Sequence, residues 1–407
     1  MFKPSPAMIC ALSLAACATP GATPPGATLA AAPRVALAPP APHDKPTFVP
    51  RRALSAAEVQ AIASEFPGGI VTEAGVRIGV MTYRSTLGGR AIPASALVAL
   101  PEPGRKVRGI ILHLRGSDVP RAEAPTSPTA NWTDVAAVYA GSGFALVVPD
   151  YIGFGASPSP QAFLLLEENL VDFRAALTAA RGPLDLGERA PLHILGFSQG
   201  AQLAAAMHQD LERRPLAGFD LRATVAVAGP HELVGQLRRR LLPPTSRDPI
   251  AIGYLAWAAY TYAWRSGRPL ETVFQPRFVP LVARWFGGDM TAPEIVAEAP
   301  GDVRDLLTED FRRGLMNDPD HWFVAMLRRN ETLELTPRAP LRIVVGGGDE
   351  HVDPPATRAL HERAKARGGA VGIVEHPGLS HHQTGAIAFS SSIEWFKARA
   401  EGRNAPP

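Results

Sequence analysis

The sequence predicts an α/β fold: a mainly parallel sheet covered by helices on both faces, with a helical cap inserted late in the chain. Three observations predict it. Short segments such as 108–114 and 224–228 are apolar throughout, as strands buried on both faces are. They alternate with helical periodicity, clearest at 161–181, where Phe163, Leu166, Leu170, Phe173 and Leu177 recur at three- and four-residue steps. Residues 233–337 then break the alternation with helical patterns and no convincing strand.

The N-terminus reads as an address. Residues 1–16 hold one Lys, a short apolar stretch and small residues before a break, the pattern of a signal peptide. Leu14-Ala15-Ala16-Cys17 resembles the bacterial lipobox, which implies a mature chain beginning at Cys17 and anchored to a membrane by acyl chains. Ala18, where Asp would signal retention, implies the outer membrane; cleavage after an Ala and free secretion is the alternative. Residues 17–50 are rich in Pro and Ala with almost no large apolar side chain, so they read as a tether. The core is assigned to 51–232 and 338–407, and the cap to 233–337.

Within the core, 77–85 and 94–100 read as opening strands, followed by a strand at 108–114 and a helix near 132–140. A strand at 144–148 leads to the helix at 161–181. The strand 192–195 precedes a helix at 199–213, and 224–228 is the last strand before the cap. Beyond it come strands at 341–345 and 371–375, with helices at 355–366 and 386–398. In the cap, 252–264 and 278–285 are helical, and Tyr254, Trp257, Tyr260, Tyr262, Trp264, Trp285, Phe286, Trp322 and Phe323 either line an acyl pocket or pack the cap against itself.

Composition narrows the function classes. The chain has 407 residues, 46% hydrophobic and 19% charged, enough to bury a large core. A net charge of +3 without a basic run interleaved with aromatics argues against nucleic-acid binding. Both cysteines, Cys10 and Cys17, lie at the extreme N-terminus, so no disulfide staples the body.

Ligands of parallel sheets bind where strands end, and the chemistry-bearing residues follow strands. Gly196-Phe197-Ser198-Gln199-Gly200 joins the strand 192–195 to a helix, the context of a nucleophile elbow. Serine needs a base, and His381 sits in a tight loop after the strand 371–375, with His382 beside it as a possible substitute. Asp349, after the strand 341–345 and three glycines, falls between Ser and His in order; Glu350 and Asp353 compete in the same loop. The oxyanion donors are the Gln199 amide and, after the strand 108–114, the Ser117 amide with Gly116 as alternative. Arg115 reads as either an anion contact or a surface ion pair, and Asp150 as an anchor for its own turn. Asn131-Trp132-Thr133 matches a glycosylation sequon by coincidence.

These segments, with Val148-Pro149-Asp150-Tyr151-Ile152-Gly153-Phe154-Gly155, Gly348-Asp349-Glu350-His351-Val352-Asp353-Pro354 and Pro377-Gly378-Leu379-Ser380-His381, resemble the α/β-hydrolase superfamily, most of all its secretory-lipase-like branch. The resemblance spans about residues 105–400. It departs at Arg115-Gly116, where the family commonly has His-Gly, which leaves the second oxyanion donor open. It implies hydrolysis of small-molecule or lipid carboxylic esters through an acyl-enzyme, without metal or organic cofactor. A peptidase or amidase on the same fold is an alternative, since amides and esters share a tetrahedral intermediate. A non-catalytic envelope binding protein is another. Oligomeric state and chain-length preference stay open.

Overall fold

The computed structural model describes residues 45–184, 187–240, 248–403 and 406–407. The signal peptide, Cys17 and the tether as far as residue 44 lie outside the described residues.

Neighbouring residues on each central strand enter opposite layers, and that alternation builds two helical faces. The strands are β1 (Thr47–Leu54), β2 (Val76–Leu87), β3 (Arg90–Pro101), β4 (Ile110–Leu114), β5 (Ala145–Pro149), β6 (Ala190–Phe197), β7 (Phe219–Val227), β8 (Leu341–Gly346) and β9 (Val371–His376). The core helices before the cap are α1 (Ala56–Ser64), α2 (Thr133–Gly141), α3 (Leu166–Ala180) and α4 (Gln199–Arg213). The cap carries α5 (Leu233–Arg240), α6 (Pro249–Arg265), α7 (Val279–Trp285), α8 (Ala292–Glu298), α9 (Val303–Leu306), α10 (Glu309–Asn317) and α11 (Trp322–Arg329). After it come α12 (Pro354–Ala366) and α13 (His381–Ala400).

Among the described residues the strands form one sheet in the order β1-β2-β3-β5-β4-β6-β7-β8-β9. The first three pairings, β1 with β2, β2 with β3 and β3 with β5, are antiparallel; every later pairing is parallel. Ile111, Leu146 and Val148 point into the layer shared with α1, α2 and α13. Ile110, Leu112, Ala145 and Val147 point into the layer shared with α3 and α4. Burial at about 25 cal/mol per Å² of apolar surface on both faces is what holds this sheet together. A third apolar cluster lies in the cap, around Trp257, Tyr262, Phe274, Trp285 and Phe323.

Three expectations are corrected. The sheet begins at Thr47, inside the segment 17–50 assigned to the tether. Thr47, Phe48 and Val49 suit a strand, and β1 pairs with β2 closely enough that a side chain at Gly79 would meet the Val49 carbonyl oxygen. The helix expected at 161–181 starts only at Leu166, because Phe163, Leu164 and Leu165 belong to the cap's apolar cluster and Leu164 has φ +53°. The last helix begins five residues before the expected 386, at His381, where Ser380 accepts from the Gln383 amide and Gln383 from the Ser380 amide in a capping box.

The cap leaves after β7 and returns before β8. It is tied to the core at the turn it deforms. Phe163 stacks on Trp257 with ring centroids 4.0 Å apart, and the Tyr262 hydroxyl donates to the Leu164 carbonyl at 3.1 Å. Asn330 closes the junction: its Oδ1 accepts from the Leu166 amide at 2.8 Å, and its carbonyl accepts from Gln202 Nε2 at 2.5 Å.

Candidate active site

The strand–helix turn after β6 dictates the first position. A side chain at Gly196 would come within 2.0 Å of the Gly200 carbonyl oxygen, and one at Gly200 within 1.9 Å of the Leu114 carbonyl oxygen. Only glycine permits this crossing of β6, α4 and the end of β4. Between them Ser198 holds φ +54° and ψ −122°, a conformation that side chains avoid, pinned by its amide donating to the Val227 carbonyl at 2.9 Å. Its side chain borders a cavity above the turn.

The parallel register brings the later loops to the same edge. Phe197 lies opposite Val227, Val227 opposite Val344, and Gly346 opposite His376. Asp349 and His381 therefore emerge beside the Ser198 turn, and the Phe197 ring packs 4.8 Å from the His381 ring. His381 Nδ1 lies 2.8 Å from Asp349 Oδ2, with both side chains almost fully buried at 3% and 1% exposure. Asp349 Oδ1 accepts from the His351 and Val352 amides, each at 2.8 Å. Burial pushes the Asp349 carboxyl up, but His381 and the two amides overcome it and hold the group below its ordinary value. The carboxylate is thus ionised at neutral pH, and the Nδ1 bond leaves Nε2 of the ring for another partner.

The alternatives in both loops have other partners. Glu350 Oε2 accepts from the His381 backbone amide at 3.1 Å, and Asp353 pairs with Arg239 at 2.7 Å. The His382 ring stands edge-on to His381 at 5.4 Å.

Ser117 and Gln199 border the same cavity, and the Ser117 hydroxyl donates to Gln199 Oε1 at 3.2 Å. Arg115 is not a surface residue; it is 1% exposed. Its guanidinium lies over the Tyr151 and Phe154 rings, 4.8 and 4.2 Å from their centroids. It donates to the Gly116 carbonyl, Asp118 and the Asp150 carbonyl, while the Tyr151 hydroxyl donates to the Arg115 carbonyl. Desolvation raises the Asp118 carboxyl to about 6 despite this cation. Asp150 anchors more than its own turn: it accepts from Ser95 and from both the hydroxyl and the amide of Thr126.

The cavity measures about 110 Å³ and is mostly apolar. Of the cap aromatics considered from sequence, Tyr254 and Phe323 border it, while Trp257, Tyr262, Trp285 and Phe286 pack the cap interior. Its walls are chiefly aliphatic, from Leu233, Leu237, Leu255 and Leu327. These and His351, also on the wall, escaped sequence reasoning: aliphatic helix positions look the same facing a cavity or a core.

A family model described as the alpha/beta hydrolase family matches residues 111–396. No curated protein matches the chain in sequence. Among solved structures, the chain is similar to a putative hydrolase from Legionella pneumophila at 20% identity and TM-score 0.78, covering 88% of this chain and 98% of that one. It is also similar to the rice cell wall degrading esterase LipA from Xanthomonas oryzae, at 19% identity and TM-score 0.74, covering 87% and 96%. A third is Candida antarctica lipase A in its closed state, at 16% identity and TM-score 0.67, covering 89% and 83%. At these identities the likeness is one of fold.

Proposed function

Because the chain belongs to the alpha/beta hydrolase family, we propose that it is a serine esterase or lipase in which Ser198, His381 and Asp349 act as a triad on a carboxylic ester. The observation that carries this reading is the buried 2.8 Å bond between His381 and Asp349, beside a serine held in a strained strand–helix turn.

His381 Nε2 takes the Ser198 proton as Oγ attacks the ester carbonyl carbon. Asp349 fixes the tautomer and stabilises the imidazolium. The Gln199 and Ser117 amides receive the oxyanion, with Gly116 as the alternative to Ser117. The tetrahedral intermediate collapses, His381 protonates the departing alcohol, and the acyl group remains on Ser198. His381 then activates water, and the same steps in reverse order release the acid. Every proton passes through these side chains and water, so the route asks for no cofactor. The aliphatic cavity wall favours an acyl chain over a peptide side chain rich in polar groups.

Replacing Ser198 by Ala is expected to lower ester turnover by more than about 10⁴-fold while leaving the folded state intact. A fluorophosphonate probe should label the wild type and not the variant. Equal turnover by the variant sinks the reading; matched ester and anilide substrates separate an esterase from an amidase. The same proposal includes a lipid anchor on Cys17 at the cell envelope, in the outer membrane, with secretion as the alternative. Cys17→Ala should move the protein from the membrane fraction to the soluble one.

A further inference from the structure

We propose that Glu350, His351 and His382 form a site for one divalent transition-metal ion of the zinc class, and that filling it inhibits the enzyme. The inhibitory half rests on the proposed hydrolase function; the binding half does not.

Each of the three residues offers one ligand atom, and those atoms all lie within 4.8 Å of one another. Glu350 Oε1 and His351 Nε2 lie 3.6 Å apart. Ligands of a tetrahedral zinc ion, bound at about 2.0–2.2 Å, sit only slightly closer together than that. Two imidazoles and one carboxylate suit zinc, nickel, cobalt or copper and not magnesium or calcium, which prefer an all-oxygen shell. Three protein donors leave a fourth position for water or a chelator.

The scaffold around the cluster is set on one side and adaptable on the other. The His351 backbone is held by its amide donating to Asp349 and by its carbonyl accepting from Gln236 and Arg240. Glu350 binds the His381 amide through Oε2, which leaves Oε1 to turn toward a metal. Glu350 is exposed and His382 half-buried, so both have room to close the remaining distance.

Inhibition follows from position. The His351 and His382 rings pack on His381 at 4.8 and 5.4 Å between centroids. An ion that draws the His351 and His382 rings toward itself moves two of the groups that pack the His381 ring in place. His351 also borders the cavity, so a metal with its fourth ligand narrows the space above Ser198.

Zinc titrated into the full chain, read by competition with a chromophoric chelator, is expected to fill one site per chain, to be removed by EDTA and not to be replaced by magnesium. His382→Gln and Glu350→Gln should each weaken zinc by about tenfold or more. Ser198→Ala should bind it as the wild type does. Ester turnover of the wild type should fall with the same midpoint, while whatever turnover His382→Gln shows without metal resists zinc. Equal zinc affinity in the wild type and both ligand variants, or no binding at millimolar zinc, overturns the site. Binding in this pattern with undiminished turnover overturns the inhibition. A chain that binds zinc so but hydrolyses no ester keeps the site and loses the hydrolase reading.

Discussion

Arg115 shows what a single residue can hide. Sequence leaves it between an anion contact and a surface pair, yet its guanidinium is buried against two rings and bonded along the loop that carries Gly116 and Ser117. Such a fork orients backbone, and a lysine cannot replace its planar set of donors. Arg115→Lys should therefore lower kcat more than it raises KM, because the proposed oxyanion amides would act on the transition state. A larger change in KM than in kcat would assign Arg115 to substrate binding. Asp349→Asn should cost about 10⁴-fold in kcat by stabilising the wrong His381 tautomer. The meeting of Asp349 and His381 beside the Ser198 turn was legible because each of the three follows a strand, and parallel strands end at one edge. Arg115 was not, since burial depends on what Tyr151 and Phe154 do, far along the chain.

Elements were legible where one periodicity served one surface. The helix at 199–213 falls where the sequence places it, as α4, since its apolar stripe meets a single sheet face. The segment 161–165 misleads because its apolar residues keep helical spacing while packing against the cap. Its start is fixed by Asn330, which accepts the Leu166 amide from more than 160 positions away in sequence. Asn330→Ala should cost about 1–3 kcal/mol in chemical denaturation by leaving that buried amide unpaired. A loss under a few tenths of a kcal/mol would mean another group takes over. Leu237, on α5, faces the cavity; Leu237→Trp should depress kcat/KM for long-chain esters more than for acetates. A uniform loss across chain lengths would place the acyl chain elsewhere.

The whole molecule carries its pH response in its interior. Burial pushes the Asp172 carboxyl up to about 7; the Ser85 and Tyr83 hydroxyls pull it down without offsetting that, and Asp150 adds to the rise. The folded state thus retains a proton that the unfolded chain, with an ordinary carboxyl near 4, gives up. Stability from this group is fully present below about pH 4 and is lost as pH rises through about 7. Asp172→Asn should therefore gain stability relative to the wild type between pH 5 and pH 8, by up to about 4 kcal/mol. The measurement is the difference in Tm across that range, and a flat difference would place the carboxyl nearer its ordinary value. None of this is legible in sequence, where Asp172 reads as one more polar position on an amphipathic helix.

The insertion between β7 and β8 has an oily interior of its own, apart from the two layers flanking the sheet. It also supplies much of the wall against which an acyl chain would lie, while the proposed nucleophile, base and acid all stem from strand ends outside it. Taste and chemistry are thereby inherited on separate pieces of polypeptide. Drift within one can retune which molecules are accepted without retraining the other, and grafting a foreign insertion at this junction should transplant preference while leaving reactivity at home.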